Sequence, residues 1–342
     1  MTTWEETKTQ LNRFSTRTIA NDQAVAANVS FSTSYSVSDQ HYQFTVAICV
    51  ILKDAENYFE EWLDYHLAMG FDAIHIYDNS PSFELKNWFD NTRNHDTFGK
   101  VTVIQWPTRD DGYTQSYSYE DCVERYGRSE MGPKNDYFAF IDVDEFFVIR
   151  SPKYNDIQGI LADYLVPYGG ALTVNWMFVG ASRKTVSSPL PITKRNQYRA
   201  KEAHPVIKSI AKASDYIEHK NPHAVLLRSP SEVRTTKYPG NIFKPSSKKG
   251  ATDHQRPSEI LLLYHYRYKS EKEYLSKSCF RRNVDGSTWC EKNNKLKTDT
   301  PDHIQMFQGD VFDDMAWKFL TARVPKYKLF DDFEDFHHPA KP

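Results

Sequence analysis

Residues 44–52, Phe-Thr-Val-Ala-Ile-Cys-Val-Ile-Leu, form a nearly unbroken apolar run rich in β-branched side chains. The run is too short for a typical helix, and its scarcity of polar positions predicts a strand covered on both faces. This constrains the chain more than any other feature, because such a strand needs helices packed above and below its sheet. The sequence supplies the first one. Tyr58, Phe59, Trp62, Leu63 and Leu67 fall at helical spacing, Asp54 is a candidate N-cap, and Gly70 stands where the helix should stop. A second strand, 73–77, follows and runs into the turn sequence Asp78-Asn79-Ser80-Pro81.

The alternation continues with a helix over 83–89, a strand over 101–106, a helix over 113–127 and a strand over 137–141. Residues 44–150 are therefore expected to build an α/β fold with a mostly parallel central sheet flanked by helices, opening with a βαβ unit of the mononucleotide-binding kind. Beyond 150 the pattern predicts a helix over 157–165, strands over 171–176 and 260–264, and an amphipathic helix over 271–282. Residues 181–256, rich in Lys, Ser and Pro, read as a variable, substrate-facing region. The expected organisation is a polar leader over 1–43, one domain over 44–300 with halves at 44–150 and 151–300, and a tail over 301–342. A chain of 342 residues with 39% hydrophobic content has enough material for such a core.

A net charge of −2 offers no broad basic field for nucleic acid, so any anion must be bound locally. The four cysteines include no Cys-x-x-Cys pair, which argues against a zinc cluster. Cys49 reads as a small buried hydrophobe, and the sparse cysteines point to a reducing, cytoplasmic setting. No stretch approaches the ~18–20 apolar residues of a membrane span, and the N-terminus lacks signal-peptide character. The alternative is a membrane-anchored protein trimmed of its anchor.

Asp142-Val143-Asp144-Glu145 directly follows the strand over 137–141 and precedes another apolar run, Phe146 to Ile149. Ligands of open α/β sheets bind beyond the carboxyl ends of the strands. If the segment stays extended, Asp142 and Asp144 share one side and form a hard oxygen site for Mn²⁺ or Mg²⁺. Such an ion would bridge two phosphates and neutralise charge on a leaving diphosphate. An isolated Asp-x-Asp is common on surfaces, but acids wedged between apolar runs are costly unless they have a task.

His265, after the strand over 260–264, is a candidate third metal ligand, and Lys269 a candidate phosphate contact. Lys53 and Asp78 follow the first two strands, where a nucleotide would lie, with turn capping the equal alternative for Asp78. Arg125 either reaches the nucleotide or pairs with Asp121 four residues earlier. Trp62 and His66, also four apart, are expected in the core.

The stretch from Ile51 to Gly70, with Glu61-Trp62, Tyr65-His66 and Gly70, resembles the opening block of glycosyltransferase family 92. Ile76 to Ser80, Gln115 with Asp121-Cys122 and Arg125, Phe140 to Phe146, Trp176 with Phe178 and Gly180, Lys208-Ser209, and His265-Tyr266 with Lys269-Ser270 resemble later blocks in order, over about residues 44–282. Asp54-Ala55 departs from the family's usual Asn-Glu. The resemblance implies a GT-A fold, a nucleotide-sugar donor such as a UDP-sugar, a glycan acceptor and a divalent metal, usually Mn²⁺. By the same resemblance Asp142, Asp144 and His265 would hold the metal, with Asp78 and Arg125 near the nucleotide.

The implied activity is that of a hexosyltransferase: an acceptor hydroxyl displaces the diphosphate at the anomeric carbon, with inversion. Inversion needs a base, for which Asp215, Glu145 and Glu202 are candidates by residue type. Two rivals stay open. A sugar nucleotidyltransferase would carry a Gly-rich basic loop after the first strand, where this chain has Lys-Asp-Ala-Glu-Asn. A non-catalytic carbohydrate-binding module would not need the acids.

Overall fold

A computed structural model describes residues 42–53, 58–91, 99–130, 134–181, 188–229, 233–237, 251–280 and 309–332. The expected leader up to residue 41 and the Asp54 cap lie outside them. Strand β1 (Val46–Leu52) is buried along its whole length, as its composition requires. It pairs in parallel with β2 (Ala73–Asp78) and β4 (Tyr137–Phe140), and β2 pairs in parallel with β3 (Val101–Gln105). Helix α1 (Phe59–Ala68) links β1 to β2, α2 (Glu84–Asn91) links β2 to β3, and α3 (Thr114–Val123) precedes β4, ending in one wider turn over Glu124–Arg128. Gly70, with φ of 98°, adopts the left-handed conformation that closes α1 while the Phe71 N–H bonds back to His66.

The remaining strands are β5 (Glu145–Ile149), β6 (Ala171–Phe178), β7 (Tyr198–Arg199), β8 (Ile207–Lys212), β9 (Tyr216–Asn221), β10 (Ala224–Leu227), β11 (Val233–Thr235), β12 (Leu261–His265) and β13 (Val311–Phe312). The central sheet runs β3-β2-β1-β4-β8-β6-β12-β5, with β11 beside the start of β6. The fold is thus α/β with a mixed, mostly parallel sheet: β8 runs antiparallel to both β4 and β6, and β12 runs antiparallel to β5. The region over 181–256 is accordingly more than a loop-rich surface, because β8 lies buried in the middle of the sheet. Its alternation was hidden by Lys208 and Ser209, polar side chains that are both buried.

Alternate side chains of β1 enter opposite layers. Val46, Ile48, Val50 and Leu52 join the larger core with Trp62 and Tyr65 of α1. Ala47, Cys49 and Ile51 join a smaller core with Tyr119 and Cys122 of α3. In that layer Cys49 and Cys122 form a disulfide, so Cys49 is buried but not the unpaired hydrophobe its neighbours suggested. Helix α1 is also fastened by hydrogen bonds: Trp62 Nε1 donates to the Glu145 carbonyl and Tyr65 Oη to that of Phe147, each at 2.8 Å.

Helix α4 (Ile157–Tyr164) is capped by Asp156, which accepts from the Gly159 N–H, and α5 (Ile192–Arg195) is a single turn. Helix α6 (Glu271–Leu275) is shorter than its pattern and opens into a wider turn over Ser276–Phe280. Helix α7 (Met315–Arg323), in the expected tail, buries Trp317 and Leu320 in the larger core. Just after it, Tyr327 Oη donates to Asp64 of α1 at 2.8 Å.

Candidate functional site

The acids sit in a tight turn between β4 and β5 rather than on an extended segment, with the Glu145 N–H donating to the Asp142 carbonyl at 3.0 Å. Glu145 reaches back and accepts from the Asp142 N–H at 2.8 Å. The turn therefore separates the environments of the two aspartates: the Asp142 side chain is 36% exposed and that of Asp144 is 1% exposed. Antiparallel pairing of β5 with β12 puts His265 opposite Glu145, and the Tyr266 N–H donates to the Asp144 carbonyl. Register alone thus carries His265 to the acids across more than a hundred residues of chain.

Each aspartate meets lysine. Asp142 accepts from Lys208 Nζ at 3.0 Å and from Gln115 Nε2 at 3.1 Å. Asp144 Oδ2 accepts from Lys277 Nζ at 2.5 Å and Lys269 Nζ at 3.3 Å. Burial raises the affinity of Asp144 for a proton, but Lys277, Lys269 and His265 outweigh it and hold the carboxyl well below the usual range. Burial likewise opposes ionisation of Asp142, and Lys208 tips it below its ordinary value. Lys269 has φ of 50°, a left-handed backbone unusual outside glycine, and Asn196 Nδ2 donates to its carbonyl at 2.8 Å. A strained backbone locked in this way directs the Lys269 ammonium, which also lies over the Tyr58 ring.

His265 Nε2 stands 3.7 Å from Asp144 Oδ1. That Oδ1 and His265 Nδ1 are buried without a hydrogen-bond partner. The separation is too long for a hydrogen bond, and it would have to close to about 3.0 Å for the two atoms to be neighbouring ligands about 2.1 Å from an octahedral Mg²⁺. Burial pushes the imidazole below its ordinary pKa, with Asp144 opposing, which favours the neutral form a metal needs. An imidazole nitrogen and a carboxylate oxygen are donor types that a divalent cation accepts. Asp142 is not part of a closed ligand set with this pair, and no group of three or more His, Cys, Asp or Glu is arranged around one point among the described residues.

Other candidates are placed differently. Asp78 realises the capping alternative: it is buried, and its carboxylate accepts from the Ser80 N–H and Oγ and from the Lys86 N–H. Arg125 forms a helix pair with Asp121. It lies ten residues, or roughly 15 Å, along the helical run from Gln115, away from the acids. Lys53 stands half-buried just past the end of β1.

Among the base candidates, Asp215 is at the wrong end of the sheet. It follows Lys212, which pairs with Tyr137 at the start of β4, roughly 16 Å before Asp142, and its carboxylate accepts from the Gly170 N–H. Glu145 is fully buried behind the turn, where burial raises its pKa well above normal despite Lys208, so it cannot touch an acceptor. Glu202 is exposed and paired with Arg256. Nothing in the sequence singles out Lys277, and Lys208 stands out only as part of the Lys208-Ser209 block. Nothing local distinguishes a lysine on a helical turn from a solvated one.

A sequence profile of glycosyltransferase family 92 matches residues 42–308. A family 92 protein of Ricinus communis is 27% identical over 135 residues, 39% of this chain and 21% of that protein. One of Oryza sativa subsp. japonica is 28% identical over 145 residues, 41% of this chain and 22% of that protein. The aligned stretches thus cover only about a fifth of each plant protein. Two crystal structures of HddC from Yersinia pseudotuberculosis, one complexed with GMP-PN, align with TM-scores of 0.32 and 0.30 at 10% identity, covering 57% and 56% of this chain and 91% and 90% of theirs. Such low scores carry no argument.

Proposed function

This chain belongs to glycosyltransferase family 92, and on that premise we propose that it is a GT-A hexosyltransferase moving a sugar from a nucleotide diphosphate donor, a UDP-sugar, to a hydroxyl of a glycan acceptor with inversion. The observation that carries this reading is the unsatisfied Asp144 Oδ1 facing His265 Nε2, in a site that also gathers Lys208, Lys269 and Lys277. Asp144 and His265 would hold a divalent ion, Mn²⁺ or Mg²⁺, with Asp142 beside it. The ion, when bound, supplies Lewis-acid stabilisation of the departing diphosphate. The lysines supply positive charge for the same phosphates, Lys208 and Lys269 from a buried setting where it acts strongly and Lys277 from the more open side. Lys208 and Gln115 orient Asp142, and Lys53 stands at the neighbouring strand end.

The Cys49–Cys122 disulfide supports an oxidising compartment in place of the cytoplasmic setting inferred from the sparse cysteines. Among the described residues no helix is long and apolar enough to cross a membrane.

Calorimetry with UDP, with and without Mn²⁺, tests the reading. Tight binding only with the metal, lost in Asp144→Asn, is expected. Metal-independent binding of glycans without nucleotide binding would favour a carbohydrate-binding module, and turnover of a sugar 1-phosphate with a nucleoside triphosphate would favour a nucleotidyltransferase.

A further inference from the structure

The β9–β10 hairpin lays its tip against β8, the strand whose Lys208 reaches Asp142. There Asn221 Oδ1 accepts from the N–H groups of His223 and Ala224, and Ser209 Oγ donates to the His223 carbonyl. These bonds pin His223 beside β8, next to the strand position that sends Lys208 to Asp142. Three imidazoles surround the Trp176 ring: His265 at 4.5 Å, His223 at 5.1 Å and His204 at 6.1 Å between centroids.

Hydrogen bonding makes the three unequal. His204 Nδ1 accepts from the Val206 N–H, so the neutral ring carries its proton on Nε2 and is a donor there. His223 Nδ1 lies 3.2 Å from the Ile207 carbonyl, which only accepts, so the proton is on Nδ1 and Nε2 keeps a lone pair. Burial and the nearby Lys208 push His223 down to about 4, leaving it neutral near neutral pH. His265 Nε2 faces Asp144 Oδ1 at 3.7 Å. His223 is half-buried, hence within reach of a ligand, and the carboxylates considered as bases are buried, remote or ion-paired.

We propose that His223 Nε2 is the catalytic base that receives the proton of the attacking hydroxyl, an inference that rests on the glycosyltransferase reading. As the oxygen bonds to the anomeric carbon, its proton passes to His223. The bond from that carbon to the β-phosphate oxygen breaks, and its electron pair leaves with the nucleoside diphosphate. No further reactant is required. The imidazolium returns its proton to solvent after release.

The test measures nucleoside diphosphate release from a panel of UDP- and GDP-hexoses, with water and with a mixture of free monosaccharides as acceptors. His223→Gln and His223→Ala are compared with the full chain. Glutamine can still donate to the Ile207 carbonyl but has no basic nitrogen. Both variants are expected to lose about 10²-fold or more in kcat, with UDP–Mn²⁺ affinity and melting temperature unchanged. Recovery of the glutamine variant to within about threefold of wild type, or loss of UDP binding in either variant, would show a structural role and overturn the proposal. A wild-type chain that binds no nucleotide and releases none would instead defeat the underlying transferase reading.

Discussion

Lys208 Nζ lies 3.0 Å from Asp142 Oδ2 and 3.7 Å from Glu145 Oε2, and the lysine side chain is 1% exposed. The buried ammonium holds Asp142, the acid that faces the site, ionised, and stands beside Glu145, which burial holds toward its neutral form. Lys208→Met removes the counter-charge and hydrogen bond of Asp142. The expected loss is about 1–3 kcal/mol of folding stability, read from urea denaturation. A loss below about 1 kcal/mol would contradict this pairing.

Asp144→Asn removes the charge shared by Lys269, Lys277 and His265. UDP affinity in the presence of Mn²⁺ should fall at least about tenfold, while binding without metal changes little. Titration calorimetry distinguishes the two.

Asp215→Asn should leave nucleotide binding untouched, since the residue lies at the far end of β4. Its loss of charge weakens the bond from the Gly170 N–H, for about 1 kcal/mol of stability. A drop in UDP affinity would restore Asp215 as a site residue.

His66 and His75 are both buried, and burial pushes each imidazole down to about 3. Their unfolded counterparts take up protons near pH 6.5, so the unfolded chain binds more protons between about 6.5 and 3. Their contribution is complete above that window and is lost as pH falls through it, by up to about 1.4 kcal/mol per pH unit for each ring. Comparing urea midpoints at pH 7 and 5, His75→Gln should reduce the acid-induced loss by about 2 kcal/mol.

Replacing both Cys49 and Cys122 by serine opens a link between positions 73 residues apart. The expected cost is about 2–4 kcal/mol, visible as a lower melting temperature that reducing agent lowers less than it lowers that of the unaltered chain, the disulfide at Cys279 remaining.

The alternating half of the chain was legible because each strand and helix there is a local hydrophobic pattern. Trp62 and His66 could be assigned to the core from spacing alone, and their rings meet there, tilted, at 4.5 Å. The acidic turn and His265 were legible because each directly follows an apolar strand. The insertion of β8 was not, since Lys208 and Ser209 interrupt its apolar pattern and their burial depends on partners elsewhere. The choice between capping and ligand contact at Asp78, and the distance of Asp215 from the acids, were not legible, because a carboxylate's availability is decided by which backbone N–H groups reach it. His223 had no signal at all: a turn histidine acquires meaning only when the hairpin closes over Trp176.

Because β8 is stitched between β4 and β6, the first half of the chain cannot complete its own pocket. Asp142 is oriented from Gln115 before it and Lys208 after it, while Asp144 is met from 265, 269 and 277. A fragment cut near residue 150 would keep a strand-and-helix scaffold yet present bare acids. Exchange of halves between relatives would likewise join acids to lysines that had not co-adapted.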